Sequence, residues 1–328
     1  MNDAAPSMGL FVAFHIQPDG NFRRLDAGEA FSFDPGEGLV WLHLDRRADV
    51  VQTWLYEHSG INEIDVDALL SEETRPRAYR PHQQSSLLVI LRGVNNQPGA
   101  NPDDLVSMRL WVEKNRVLGF SSRPLAPVED VAAMLGGEYA PSTSTDLLAA
   151  LATRMVARME PAIAALGDAL DVMEELQDGG HRIDTAQLMS IRRQSAALRR
   201  FLGPQKDVFV IIDSLHLPWL GLSVDGEWRE ATNTLYRYLE ELDAIRERVV
   251  IINDTLNAHI VARANRTFYA VTLVAAFFVP LTFFTGLLGM NVGGIPGGTT
   301  PWGFPGVLLF LVSWSVIQYL VFRRLRWL

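Results

Sequence analysis

Residues 267–290, TFYAVTLVAAFFVPLTFFTGLLGM, contain no Asp, Glu, Lys, Arg or His, and neither do residues 303–322, GFPGVLLFLVSWSVIQYLVF. A helix of about 20 apolar residues is long enough to cross a hydrocarbon core about 30 Å thick. Two such stretches near the end of the 328-residue chain predict a membrane protein with two spans. The competing reading is a buried helical hairpin of a soluble domain, in which the rest of the chain would cover both segments.

The flanks of the two segments predict their orientation. Arg263 and Arg266 precede the first, Arg323, Arg324 and Arg326 follow the second, and the connection 291–302 carries no charge. The positive-inside rule then puts both termini in the cytoplasm and the short loop outside. The first residues, MNDAAPSMGL, have neither the basic start nor the long apolar core of a secretory signal. The expected protein is therefore a multi-pass protein of the inner membrane with residues 1–266 in the cytoplasm.

Charge and composition narrow the function. The net charge is −9, and since 267–322 is uncharged and the last three arginines are positive, residues 1–266 carry −12. An acidic surface of this kind argues against nucleic acid as a partner. Placed below a pore, it would concentrate cations, although ordinary solubility charge accounts for it equally well. The absence of cysteine excludes thiolate metal sites and disulfides. There is no nucleophile elbow, P-loop or dinucleotide fingerprint, and so no sign of a cofactor.

Upstream, the runs 10–16, 39–45, 85–94, 107–113 and 116–121 are short, apolar, rich in Val, Leu, Ile and aromatic residues and punctuated by Gly, Pro, Asn and Asp, which predicts strands. Segments 48–58 and 63–70 read as short amphipathic helices. An α+β domain with a mixed sheet and helical layers is expected over 1–143, followed by a helical layer over 144–226. In that layer, 145–177 is expected as a helix kinked or restarted at Pro161, and 184–201 as a second helix that Gly203-Pro204 interrupts or ends. From Glu227 to Val279 there is neither Gly nor Pro. Leu235, Leu242, Val249 and Leu256 recur every seventh residue, with Leu239 and Ile260 on the same seam and Arg246 and Asn253 breaking it. A stalk helix over 227–266 thus leads without a break into a first span at 267–290, a loop at 291–302, a second span at 303–322 and a basic tail at 323–328.

Two spans enclose no hydrophilic path, so transport would require a ring of subunits. One face of the first span is small or mildly polar: Asn265, Phe268, Thr272, Ala275, Val279, Thr282 and Gly286 lie three or four positions apart. Such a face suits either pore lining or close helix packing. Phe268 and Val279 are candidates for apolar constrictions that gate by dewetting. Pro280 should bend the span or loosen one turn. The seven histidines form no HExxH and no i, i+4 pair. Asp213 with His216, three apart, and His259, on the stalk just below the first span, are the candidate metal ligands, with plain surface polarity the alternative.

The run PLTFFTGLLGMN, residues 280–291, preceded by Asn265-Arg266 and followed by a short loop, a second span and a basic tail, resembles the CorA superfamily of divalent-cation transporters. Gly-Met-Asn alone is short, but its place at the outer end of the penultimate span, after Pro-Leu-Thr and Thr-Gly, makes the likeness specific. The resemblance covers residues from about 190 onward, including RRFLGPQ at 199–205, and rests only on the order of elements over 1–130. The sequence after the tripeptide, NVGGIPGG, is similar to the zinc-transporting ZntB branch, because the loop lacks the acidic residue usual in magnesium-transporting members. The resemblance implies a funnel-shaped homopentamer in membrane lipid, with Gly289, Met290 and Asn291 ringing the outer mouth and Asn291 contacting the water shell of a divalent cation. An amide oxygen suits that task, since it accepts hydrogen bonds from metal-bound water and demands little dehydration. Zinc would be the transported ion and, at the acidic funnel, a regulatory one. A magnesium, cobalt or nickel channel on the same scaffold, a membrane-anchored enzyme and a non-conducting sensor are the rival readings.

Overall fold

The computed structural model describes residues 9–34, 36, 38–72, 75–81, 85–95, 104–215, 217–221, 226–290, 292–293, 295, 300–325 and 327. The chain divides into two compact units, Met1–Val250 and Ile251–Leu328. The first is an α/β unit built on one seven-stranded sheet. Its strands are β1 (Leu10–Ile16), β2 (Phe22–Arg24), β3 (Leu39–Asp45), β4 (Arg77–Tyr79), β5 (Leu87–Val94), β6 (Leu105–Val112) and β7 (Arg116–Ser121). They run in the order β2-β1-β3-β7-β6-β5-β4. Among the described residues only β3 and β7 pair in parallel, so the sheet is mixed as expected.

The five strands expected from sequence are the five in the middle of this sheet. They read as near-continuous apolar runs because both faces are covered. Burial is complete from Leu39 to Leu44. On one face, Leu42, Leu44, Ile90, Leu118 and Phe120 pack with Val51 and Leu55 of α2 (Asp49–Glu57) and Val66 and Leu69 of α3 (Glu63–Leu70). The short helix α1 (Ala27–Ala30) lies on the same core, held by a capping box between Asp26 and Glu29. On the other face α4 (Ala126–Met134) and α5 (Ser144–Ala157) follow, α5 burying Leu147, Leu148, Leu151 and Met155. The strands absent from the sequence reading, β2 and β4, are three-residue edge strands, and β2 is wholly exposed. They carry no apolar alternation to find.

Arg109 on β6 is fully buried, and no carboxylate among the described residues pairs with it. Its guanidinium donates instead to the carbonyls of Leu69 (3.1 Å) and Ser71 (2.6 Å) at the end of α3. Those are the acceptors that a helix C-terminus leaves free, at the negative end of its dipole. Burial, with Arg46, Arg92 and Arg77 nearby, pushes Arg109 down to about 9, which still leaves it charged at neutral pH.

Of the two alternatives at Pro161 the structure has the restart: segment 145–177 is two helices, α5 and α6 (Glu160–Asp178), with Pro161 in the first turn of the second. A proline costs nothing there, since N-terminal N–H groups have no intrahelical partner. The helix expected to stop near Phe201 instead runs unbroken through Gly203-Pro204 as α7 (Thr185–Ser214). Tertiary packing overrides the breakers: Leu198, Leu202, Val208, Phe209 and Ile212 are buried on both sides of Pro204. The buried Gln205 accepts from the backbone N–H of Arg92 at 2.7 Å, tying this turn to β5.

The last helix of the first unit begins at Gly226 and continues into the second unit as α8 (Gly226–Leu288). Its seam differs from the expected one. The buried residues are Trp228, Ala231, Leu235, Tyr238, Leu242, Ile245, Val249 and Ile252, a regular alternation of threes and fours. Leu239, Arg246 and Asn253, one position further on, lie off the seam, so the interruption read at Arg246 and Asn253 is not there. Trp228 stacks on Phe209 of α7 with ring centroids 4.3 Å apart. Arg248 reaches α6, donating to Glu174 (2.8 and 2.6 Å) and Asp171, and Asp243 pairs with Arg199 of α7.

Candidate functional site

In the second unit, the end of α8 and all of α9 (Gly303–Arg324) are long and apolar enough to cross a membrane, and neither apolar window is buried. Among the described residues neither segment is buried, as the helices of a buried hairpin would be. The two helices pack on each other along one stripe apiece. On α8 the partly covered residues are Leu273, Ala276, Phe277, Pro280, Leu281, Phe284 and Leu288. On α9 they are Gly303, Val307, Leu311, Trp314, Ser315, Gln318 and the buried Phe322. Phe284 sits edge-on to Phe310 (5.1 Å) and Trp314 (5.7 Å). At the other end, the Tyr269 hydroxyl donates to the Trp327 carbonyl, and Trp327 lies against Phe322.

The residues expected to line a path are elsewhere on α8. Asn265, Phe268, Thr272, Ala275, Val279, Thr282 and Gly286 are all exposed. At about 100° per residue they form a face roughly opposite the stripe that α9 covers. Phe268 (72 % exposed) and Val279 (63 %) are its large apolar side chains. The face therefore survives as one continuous surface, which its second span leaves free.

At the outer end the helix stops at Leu288, and the Gly289 N–H closes the last turn on Thr285 O at 2.9 Å. A Cβ on Gly289 would stand 3.0 Å from that same carbonyl, so with a side chain there the turn would have to give by a few tenths of an ångström. Met290 is half exposed, and Asn291 lies outside the described residues. A cavity of about 560 Å³ adjoins Gly289, lined by Thr285, Leu288, Thr300, Phe304 and Leu311 among others.

The candidate metal ligands do not meet. Asp213 is exposed in the last turn of α7, His216 lies outside the described residues, and His259 is exposed on α8. Among the described residues no three His, Asp or Glu side chains are grouped to hold a metal. Some of the carboxylates in this acidic unit are spent on helix packing: Arg199 of α7 holds the Asp243 carboxyl of α8 below its ordinary value, and Arg248 of α8 does the same to Glu174 of α6. The sequence reading passed over Gln318, the one side-chain amide in 303–322, which donates to Ala276 O of α8 at 3.4 Å. Asking where Pro280 leaves a carbonyl without a donor would have pointed to it.

Comparison with known proteins agrees with this architecture. The family model described as CorA-like Mg2+ transporter protein matches residues 36–324. A curated relative from Pseudomonas aeruginosa, named divalent cation transporter CmaX, is 39% identical over 330 residues and 99% of both chains. The zinc transport protein ZntB of Pectobacterium atrosepticum is 32% identical over 278 residues, 84% of each chain. The solved structure of full-length CmaX superposes with a TM-score of 0.84 at 38% identity, covering 99% of this chain and 100% of that one. The chain thus matches relatives with two different cargo names, and the likeness to the zinc transporters is the lower of the two. It has an α/β unit with a mixed sheet, a long helix and two candidate membrane-spanning helices, and it belongs to the family of CorA-like Mg2+ transporter proteins, which are membrane transporters and not enzymes.

Proposed function

We propose that this chain is one subunit of a homopentameric transporter that carries divalent cations, zinc among them, across the inner membrane, with both termini in the cytoplasm. The observation that supports this most is the free face of α8. A span packed on its partner along Leu273, Phe277, Leu281 and Phe284 keeps Thr272, Ala275, Val279, Thr282 and Gly286 open on the far side. Two spans close no channel, so that face meets water only if several copies turn it inward around an axis. Small and hydroxyl side chains suit a hydrated ion that keeps its water, with Phe268 and Val279 as the narrow apolar steps. Gly289, Met290 and Asn291 would form the outer mouth, Asn291 accepting hydrogen bonds from the hydration shell. The acidic balance of residues 1–266 would raise the cation concentration below it.

Zinc is favoured over magnesium by the uncharged loop after Asn291 and by the zinc transport proteins among the relatives. The test is cation flux into liposomes holding the purified full-length protein, zinc against magnesium, with Asn291→Ala as the comparison. Zinc flux that Asn291→Ala abolishes is the expected result. Magnesium flux without zinc flux would overturn the choice of ion, and no flux of either from folded, pentameric protein would overturn transport itself.

A further inference from the structure

Pro280 stands inside the membrane-spanning part of α8. Having no N–H, it cannot supply the helical hydrogen bond to the carbonyl four residues earlier, that of Ala276. In water such a carbonyl is hydrated, whereas in hydrocarbon it needs a donor from the protein. The donor present comes from the second span: Nε2 of Gln318 lies 3.4 Å from Ala276 O.

Packing alone does not account for a glutamine at this point. Its other polar atom, Oε1, is buried and has no partner among the described residues, and neither has the indole Nε1 of Trp314 one turn earlier on the same stripe. An aliphatic side chain would fill the space between the helices without desolvating an amide. What the amide does that an aliphatic residue cannot is meet the carbonyl that Pro280 leaves free.

We propose that Gln318 is a positioning residue for the first span: its amide ties the Pro280 turn of α8 to α9 and so fixes the rotation in which Thr272, Val279 and Thr282 face away. Val279 and Thr282 flank Pro280 closely, so a turn that slips at Pro280 turns these side chains with it. The flux readout of this inference rests on the transport reading above, while the link between Gln318 and Pro280 stands on the helix pair alone.

The experiment compares four full-length proteins: the natural sequence, Gln318→Leu, Pro280→Ala and the double variant. Alanine in place of Pro280 restores the N–H to Ala276 O and should make Gln318 dispensable. With Pro280 present, Gln318→Leu should lower zinc flux about fivefold, equivalent to the roughly 1 kcal/mol of a net hydrogen bond. In the Pro280→Ala background the same change should cost less than about twofold, and the midpoint of thermal unfolding should follow the same pattern. Hydrogen exchange over 276–284 should quicken in Gln318→Leu and return to the starting rate in the double variant. Equal losses in the natural and the Pro280→Ala backgrounds would show a packing role only, and no loss in either would show none; both results overturn the proposal. If the natural protein carries no cation, the transport reading fails, and the unfolding and exchange comparisons still decide the role of Gln318. If Pro280→Ala does not fold, unchanged exchange over 276–284 in Gln318→Leu overturns it.

Discussion

Gly119 sits on β7 directly beside His43 of β3, in the middle of the sheet. Placing a Cβ there, as in Gly119→Ala, would bring it to 2.1 Å from Nδ1 of His43, 2.9 Å from Cε1 and 3.1 Å from Cγ, where ordinary contact begins near 3.4 Å. The ring has no way to retreat. It is fully buried, and its Nε2 lies 3.0 Å from the hydroxyl of Ser121, which itself donates to Arg123 O at 2.6 Å. Since that hydroxyl has spent its proton on Arg123, the ring must donate from Nε2 and turn its bare Nδ1 toward Gly119. Making room means moving the ring by more than an ångström, which breaks the bond to Ser121. Overpacking of this kind costs about 1–3 kcal/mol and the hydrogen bond about 1 kcal/mol, together roughly 2–4 kcal/mol. For a unit of this size the midpoint of thermal unfolding, followed by tryptophan fluorescence in the full-length protein, should fall by roughly 5–15 °C. Removing the ring as well, in His43→Ala with Gly119→Ala, should recover part of the loss. A midpoint within about a degree of the natural protein would refute the argument, because the space for a methyl group would then exist.

The acid limb of stability carries two further expectations. Burial pushes His43 down to about 3 from its ordinary 6.5, so between those values the unfolded chain binds the proton that the folded one refuses. Stability due to this group is complete above pH 6.5 and falls by about 1.4 kcal/mol per pH unit below it, a slope that His43→Leu should remove from denaturant titrations run at stepped pH. Arg248→Met cuts the tie from α8 to Glu174 and Asp171, whose side chains remain 39% and 61% exposed, so the loss should be about 1 kcal/mol or less. Arg248 holds the Glu174 carboxyl below its ordinary 4.5, so the stability it lends is present above that value and lost as pH falls beneath it. The effect of Arg248→Met should therefore shrink at low pH and in high salt, and an undiminished loss under both would show that the ion pair is not its cause.

How far the sequence could be read depended on whether a signal was local. The central strands announced themselves because burial on both faces demands apolar runs, and the two spans because hydrocarbon tolerates no charge. The edge strands β2 and β4 were invisible, being three residues long and paired on one side. Gly203-Pro204 looks like a helix end in the sequence because the contacts that hold α7 together across it, Gln205 on Arg92 and the buried Leu202 and Phe209, are tertiary and not along the helix. On α8 the seven-residue repeat is legible, but its second row runs through Tyr238 and not Leu239, because the ring of a tyrosine buries as much apolar surface as a leucine while its hydroxyl masks that in the sequence pattern. The free face of the first span was legible from its spacing of small and hydroxyl residues, yet Gln318 was not, because its meaning depends on Pro280 in the other helix.

The chain contains no cysteine, so a single introduced thiol reports on one position alone. The central claim is that cations pass along the face of α8 that α9 leaves free. Zinc flux should be measured through Val279→Cys and Thr282→Cys on that face, and through Leu273→Cys and Phe277→Cys on the face toward α9, before and after a charged, membrane-impermeant thiol reagent. The account requires block at Val279 and Thr282 and continued flux at Leu273 and Phe277. Block confined to Leu273 and Phe277, or equal block at all four, would contradict it.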